Sequence, residues 1–180
     1  MYALTPNEVA AITGLDERLV RKDLEQGVVT AESPPRFGQE DVIYFMARAL
    51  FALELGTRER RRLHSMIEAA LRGRRQTVEL GTGWTLDLAT IERTVDERIG
   101  SFDAWKAGLT ITDSVLAGEP AFPGSRLAVR RVGEALRNGV SRDELLEDYP
   151  YLTGADLDFA ALYTTAYPRV GRPRAQAAPG

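Results

Sequence analysis

Two glycines and two prolines fall within seven residues, Gly118-Glu119-Pro120-Ala121-Phe122-Pro123-Gly124, and no regular helix can run through them. Gly reaches positive φ at little cost, whereas Pro locks φ at about −65° and biases the residue before it towards extended backbone. Ser125-Arg126-Leu127-Ala128-Val129 carries the chain out, and the sequence then turns abruptly helical. The stretch predicts a loop held in one shape at the entrance to a helical unit.

At 180 residues the chain has room for one or two domains and a core that needs no staples. The absence of Cys excludes disulfides, thiolate metal sites and a cysteine nucleophile. No run of about 18 apolar residues occurs. The segment Met1–Pro6 lacks the charged-then-apolar order of a secretory signal, so no membrane contact is expected and the cytoplasm is the expected compartment. A net charge of −3 argues against a uniformly basic nucleic-acid binder. The distribution is uneven, however. Residues 58–75 hold seven Arg against two Glu, and residues 77–180 hold eleven basic against fifteen acidic side chains. Such a polarity suits two kinds of partner; a solvated helix face is the other reading of the Arg cluster.

From the N-terminus, Thr5-Pro6-Asn7-Glu8 spells a capping box with Pro at the first helical position. Val9, Ala10 and Ile12 supply the apolar face, and Gly14 ends the helix. Asp16 caps a second helix that buries Leu19, Val20 and Leu24 and leaves Arg18, Arg21 and Lys22 outward. Gly27 stops it, Val28-Val29-Thr30 reads as a short strand, Pro34-Pro35 turns the chain, and a third helix starts near Gln39 or Glu40. Helix, tight turn, helix, ribbon, helix is the order of a winged helix-turn-helix.

These residues resemble the start of MerR-type regulators through Val20-Arg21 in the second helix and Gly27-Val28-Val29 after it. The chain departs from that family at Lys22-Asp23, where two aromatics are common, and its wing keeps only Arg36 and Phe37. The resemblance implies DNA contact by Arg18, Arg21 and Lys22 from the helix and Arg36 from the wing. In the alternative, the module serves dimerisation or docking, with Arg21 paired to Glu17 or Glu25.

Gly56-Thr57 starts a fourth helix, capped by Thr57, with Leu63, Met66, Ile67, Ala70 and Leu71 as its stripe. The single His64 beside it has no second His or Cys and reads as a boundary residue. Thr77–Leu80 and Trp84–Leu86 flank Gly81-Thr82-Gly83 as a hairpin, and no Lys-Ser/Thr follows to make a phosphate loop. Asp87 caps a long helix through Leu88, Ile91, Val95, Ile99 and Phe102, with Trp105 closing onto the core. Its acids Asp87, Glu92, Asp96, Glu97 and Asp103 fall between the apolar positions, as on a solvated face. Leu109–Thr112 reads as a strand. After the Gly/Pro loop come three short helices: one from Val129 ending at Asn138-Gly139, one opened by a capping box Ser141–Glu144, and one opened by a second box Thr153–Asp156.

Residues 109–167 closely resemble a small domain family that recurs as an antitoxin component of bacterial toxin–antitoxin pairs. The shared positions are Gly118-x-Pro120, Gly124-Ser125-Arg126-Leu127-x-Val129, Gly139-Val140-Ser141, Tyr149-Pro150-x-Leu152-Thr153, Asp156, and Ala160-Ala161-Leu162-Tyr163. With the MerR-like module ahead, the arrangement resembles a VapB-type antitoxin. That resemblance implies a PIN-domain ribonuclease toxin and operator DNA as partners, and a homodimer. It carries over no catalytic residues, and with no Cys, one isolated His64 and no Gly-rich phosphate loop an enzyme is not expected, nor a metal or cofactor. A DNA-binding regulator without a toxin partner is the alternative. Arg126 reads as the residue that pins the loop to a helix C-terminus or an acidic neighbour. Beyond Pro168 the Arg/Pro/Gly/Ala-rich tail has no periodicity, and antitoxins of this kind neutralise with tails that order on the toxin. Tyr167 is the expected anchor, and Arg169, Arg172 and Arg174 are the charges for an acidic nuclease site; a frayed terminus is the alternative.

The expected fold is thus mainly α with small β-ribbons. Residues 1–56 form a winged helix-turn-helix, 57–108 connecting helices and hairpin, 109–167 a trihelical unit, and 168–180 a tail.

Overall fold

The computed structural model describes residues 3–50, 55–81, 83–111 and 118–169. Eight helices and a two-stranded antiparallel ribbon form among them, so the chain is mainly helical with a small β element. Helix α1 (Pro6–Thr13) opens on the capping box: Thr5 accepts from the Glu8 amide, and the Glu8 side chain returns the bond to the Thr5 amide at 2.9 Å. Gly14 ends the helix at φ 80°, a left-handed conformation that an L side chain adopts only under strain. Asp16 caps α2 (Glu17–Glu25) through the Arg18 amide. Helices α3 (Gln39–Leu50) and α4 (Thr57–Arg72) follow, then β1 (Thr77–Gly81), β2 (Trp84–Asp87) and the long α5 (Leu88–Gly108), whose N-cap is Asp87. The strands pair Thr77 with Asp87 and Val78 with Leu86, and the register slips between Glu79 and Gly81. Helices α6 (Val129–Arg137), α7 (Arg142–Asp148) and α8 (Gly154–Ala166) make the C-terminal unit.

Several local expectations need correcting. Val28–Thr30 is not a strand: the Val28 and Val29 amides donate to the Asp23 carbonyl at 2.8 and 3.4 Å, closing the C-terminus of α2. Both valines are buried, so packing overrides their β preference. The wing shrinks to one antiparallel bridge between Leu4 and Phe37, with N···O distances of 3.1 and 2.8 Å. Gly56, not Thr57, is the N-cap of α4, and the Thr57 hydroxyl donates to Gln26 Oε1 at 3.0 Å. Ser141 accepts from the Glu144 amide without the reciprocal bond, because Glu144 stays in solvent. Of Leu109–Thr112, Thr110 alone is seen to pair, bridging to Ala121; Thr112 lies outside the described residues.

The Gly/Pro loop holds its shape by its own bonds. Ala121 bridges both Thr110 and Ala128, and the Val129 amide donates to the Pro120 carbonyl at 3.0 Å. Ser125 Oγ donates to the Phe122 carbonyl and accepts from the Leu127 amide, while Phe122 is 2% exposed. Gly124 sits at φ 66°. The loop pins α6 to the end of α5.

One cluster of buried apolar side chains runs from Val9 to Ala166. Helix α1 is central to it, packing on α2, α3 and α5 on one side and on α8 on the other. Phe159 of α8 meets Phe102 at 5.6 Å and Trp105 at 5.3 Å between ring centroids, the latter stacked, so Trp105 does close α5 onto the core. Gly133 lets α6 approach α8 closely: a Cβ there would lie 1.9 Å from Thr164 Oγ1 and 2.3 Å from the Ala160 carbonyl oxygen.

Candidate nucleic-acid and partner interfaces

Arg18, Arg21 and Lys22 lie on the exposed side of α2, at the i, i+3, i+4 spacing that puts three side chains on one face. Arg18 and Lys22 are in no side-chain ion pair among the described residues, whereas Arg21 pairs with Glu17 one turn earlier. Both partners of that pair are in solvent, where such a pair is worth about 0–1 kcal/mol, so Arg21 can exchange Glu17 for a phosphate at small cost. Arg36 is half-exposed, with its guanidinium 3.9 Å from Glu8 Oε2.

The basic face is backed by a buried polar node that the sequence reading missed. Asp23 has no exposed surface. Its Oδ2 accepts from Tyr44 Oη at 2.7 Å and from Arg48 at 2.5 Å, and its Oδ1 lies 2.8 Å from an Arg60 guanidinium nitrogen. That last approach is ionic rather than directional, since Oδ1 and Arg60 Nε both lack a hydrogen-bond partner. Burial, then the adjacent Asp23, pushes the Tyr44 hydroxyl well above the ordinary phenol value, so it stays protonated and donates. Arg60 also reaches Gln26 Oε1, and Arg61 donates to the Gln26 carbonyl. Helices α2, α3 and α4 are thereby tied together behind the Arg18–Lys22 row. A signal existed: Asp23 falls on the helical spacing of Leu19, Val20 and Leu24, where an acid on an apolar stripe calls for buried cations.

At the far end of the chain, Tyr167 is half-buried and engaged within the molecule. Its hydroxyl donates to Glu8 Oε1 at 2.7 Å, and its ring lies 4.9 Å from Tyr163 and 6.2 Å from Phe102, centroid to centroid. Its carbonyl accepts from Arg130 at 2.5 Å, and Lys106 Nζ sits 5.5 Å over the ring. Burial raises the Tyr167 hydroxyl pKa, and the Glu8 carboxylate adds to the rise. Glu8 moves the other way: burial pushes it up, but hydrogen bonds from Thr5 and Tyr167 outweigh that and hold it below the usual carboxylate value. Arg169 is exposed and lies 3.7 Å from Glu119 and 3.6 Å from Glu134. Arg172 and Arg174 lie outside the described residues.

Arg126 corrects its expectation: it is exposed, with no hydrogen bond or ion pair among the described residues. Arg130 does the pinning instead, 3.4 Å from Glu119 and bonded to the Tyr167 carbonyl. His64 is a boundary residue, its Nε2 2.9 Å from Asp41 Oδ1 and its ring edge-on to Tyr44. Among the described residues no group of His, Cys, Asp or Glu could hold a metal ion, and no helix is long and apolar enough to cross a membrane.

Comparison with known proteins reaches the C-terminal part of the chain. Residues 109–164 match the family described as "Protein of unknown function (DUF433)". "Uncharacterized protein y4eO" of Sinorhizobium fredii (strain NBRC 101917 / NGR234) is 31% identical over 90 residues, 50% of this chain and 41% of that protein. The chain thus spans well under half the length of this curated relative. No solved structure matches the chain significantly. The matched stretch takes in the Gly/Pro loop, α6, α7 and most of α8, and is similar to that family.

Proposed function

We propose that the chain is an antitoxin of the VapB type, which binds and neutralises a PIN-domain ribonuclease toxin and binds its own operator DNA. The observation that carries this reading is the match of residues 109–164 to DUF433, through Gly118-x-Pro120, Gly124–Val129 and Tyr149–Thr153, behind the three N-terminal helices α1, α2 and α3. The exposed row Arg18, Arg21, Lys22 on a rigidly backed helix supports the DNA half. Such a helix can enter a major groove, with phosphate contacts setting position and base-edge contacts setting sequence. On the toxin side, Arg169, Arg172 and Arg174 follow Tyr167 directly. Tyr167 is held on α1 and α5, and the three arginines that follow it in the sequence are the positive charges for an acidic nuclease site.

The test is co-expression with the product of the adjacent gene, read by co-purification and by rescue of growth. Rescue and a stable complex are expected, and truncation after Pro168 weakens both. Unchanged rescue by the truncated chain moves toxin binding to the folded domain. Absence of any complex leaves a DNA-binding regulator without a toxin partner.

A further inference from the structure

Helix α4 and the β1–β2 hairpin leave an apolar groove of about 320 Å³ between them, lined by Leu55, Leu63, Met66, Leu80 and Trp84. Trp84 is 64% exposed. A bare indole beside Leu and Met leaves wet the kind of surface whose removal from water is favourable by about 25 cal/mol per Å². Apolar patches with a polar rim mark interaction sites.

The rim supplies the second observation. Glu59 and Arg62 border the groove one helical turn apart, and both are exposed. Neither is in a hydrogen bond or ion pair among the described residues. Most other charges of α4 are engaged within the chain: Arg60 on Asp23, Arg61 on the Gln26 carbonyl and Arg72 on Glu68. Arg58 is also unpaired, but it does not line the groove. The groove therefore presents an apolar centre with one acid and one base left over.

We propose that this groove is the interface of a homodimer, with two copies meeting across a two-fold axis at α4 and the hairpin. A two-fold axis brings a patch against itself, so the patch must be self-complementary. An apolar strip flanked by one free acid and one free base meets that condition. With the two α4 helices antiparallel, Glu59 of one copy comes against Arg62 of the other. A rim shaped for an acidic or basic partner of another kind would carry a single sign of charge. Trp84 provides the large, rigid apolar anchor that dominates such interfaces. The N-terminal end of α4 is tied to the C-terminal end of α2 through Gln26, so a dimer built on α4 also fixes the spacing of two Arg18–Lys22 rows. The interface rests on α4 and the hairpin alone and stands independently of the antitoxin reading.

Sedimentation equilibrium of the full chain, from about 1 to about 100 µM, tests it. A reversible dimer is expected, and Trp84→Ala and Met66→Asp shift it to monomer while thermal melts show the fold intact. Glu59→Arg alone and Arg62→Glu alone raise the dimer dissociation constant by about tenfold or more, and the two together restore it. In a Trp105→Phe background, Trp84 fluorescence is shielded from acrylamide at high concentration and open to it at low concentration. A wild-type chain that stays monomeric throughout, or that associates only after another protein or DNA is added, overturns the proposal. So does a dimer unmoved by Met66→Asp, or one that the double charge reversal fails to restore.

Discussion

Two carboxylates, Asp23 and Glu8, each organise a polar node, and the nodes differ in what their burial commits them to. Asp23 is fully enclosed and faces two arginines and a tyrosine from α3 and α4. Glu8 keeps 14% of its side chain exposed and serves three elements at once. It closes the α1 capping box, receives the Tyr167 hydroxyl, and lies within 3.9 Å of Arg36. An enclosed ion pair is costly to break because the surviving charges stay buried. A carboxylate with one edge in solvent can rehydrate, so its partners are exchangeable. The first node ties α2, α3 and α4 together. The second joins residues 159 apart in sequence, linking the C-terminal end of α8 to α1 and Arg36.

That contrast sets a ranking of effects. Asp23→Ala strands Arg48 and Arg60 in the core and should cost about 3–5 kcal/mol in denaturant unfolding. A loss under about 1 kcal/mol would show that water reaches the node and that it belongs with the Glu8 kind. Gly133→Val forces apart α6 and α8, since the nearest obstacles include the Ala160 backbone carbonyl; a cost near the top of the roughly 1–3 kcal/mol overpacking range is expected. Tyr167→Phe removes one hydrogen bond to a carboxylate that solvent can reach, and should cost about 1 kcal/mol. A double-mutant cycle with Glu8→Gln should recover most of that as coupling.

Acid probes the Glu8 node. Because Glu8 is held below its ordinary 4.5 in the folded chain, the unfolded chain takes up the proton first. The contribution of Glu8 to stability is therefore complete above that value and is lost as pH falls through the folded value. Stability measured from about pH 7 to about pH 3 should decline less steeply in Tyr167→Phe than in wild type. The smallest effect on stability belongs to Arg21→Ala, within about 0.5 kcal/mol, since its pair with Glu17 is in solvent. On DNA its effect is larger: lower operator affinity and a salt slope shallower by about one. Equal affinity for wild type and variant would remove Arg21 from the contact set and leave Arg18 and Lys22.

Much of this was legible locally. The boxes at Thr5–Glu8 and Thr153–Asp156, the cap at Asp87, the breaks at Gly14 and Gly27 and the hairpin around Gly81–Gly83 depend on neighbours a few residues apart, and they stand where the sequence puts them. Val28–Thr30 misled because β-branched residues were read by propensity while their amides were needed at the end of α2. Arg126 misled for a related reason: it sits in a constrained loop, but the acid that the loop offers, Glu119, is reached by Arg130, in the first turn of α6.

Where helices start and stop, which faces are apolar, and the shape of the Gly118–Val129 loop follow from local sequence, because turns and caps are closed by bonds between near neighbours. What those faces meet depends on long-range packing. It sets Asp23 against Arg48 and Arg60, Tyr167 against Glu8, and Gly133 beneath Thr164. Each joins residues at least 25 positions apart, and a contact at that range is fixed by how helices pack on a shared core rather than by any local preference of the chain.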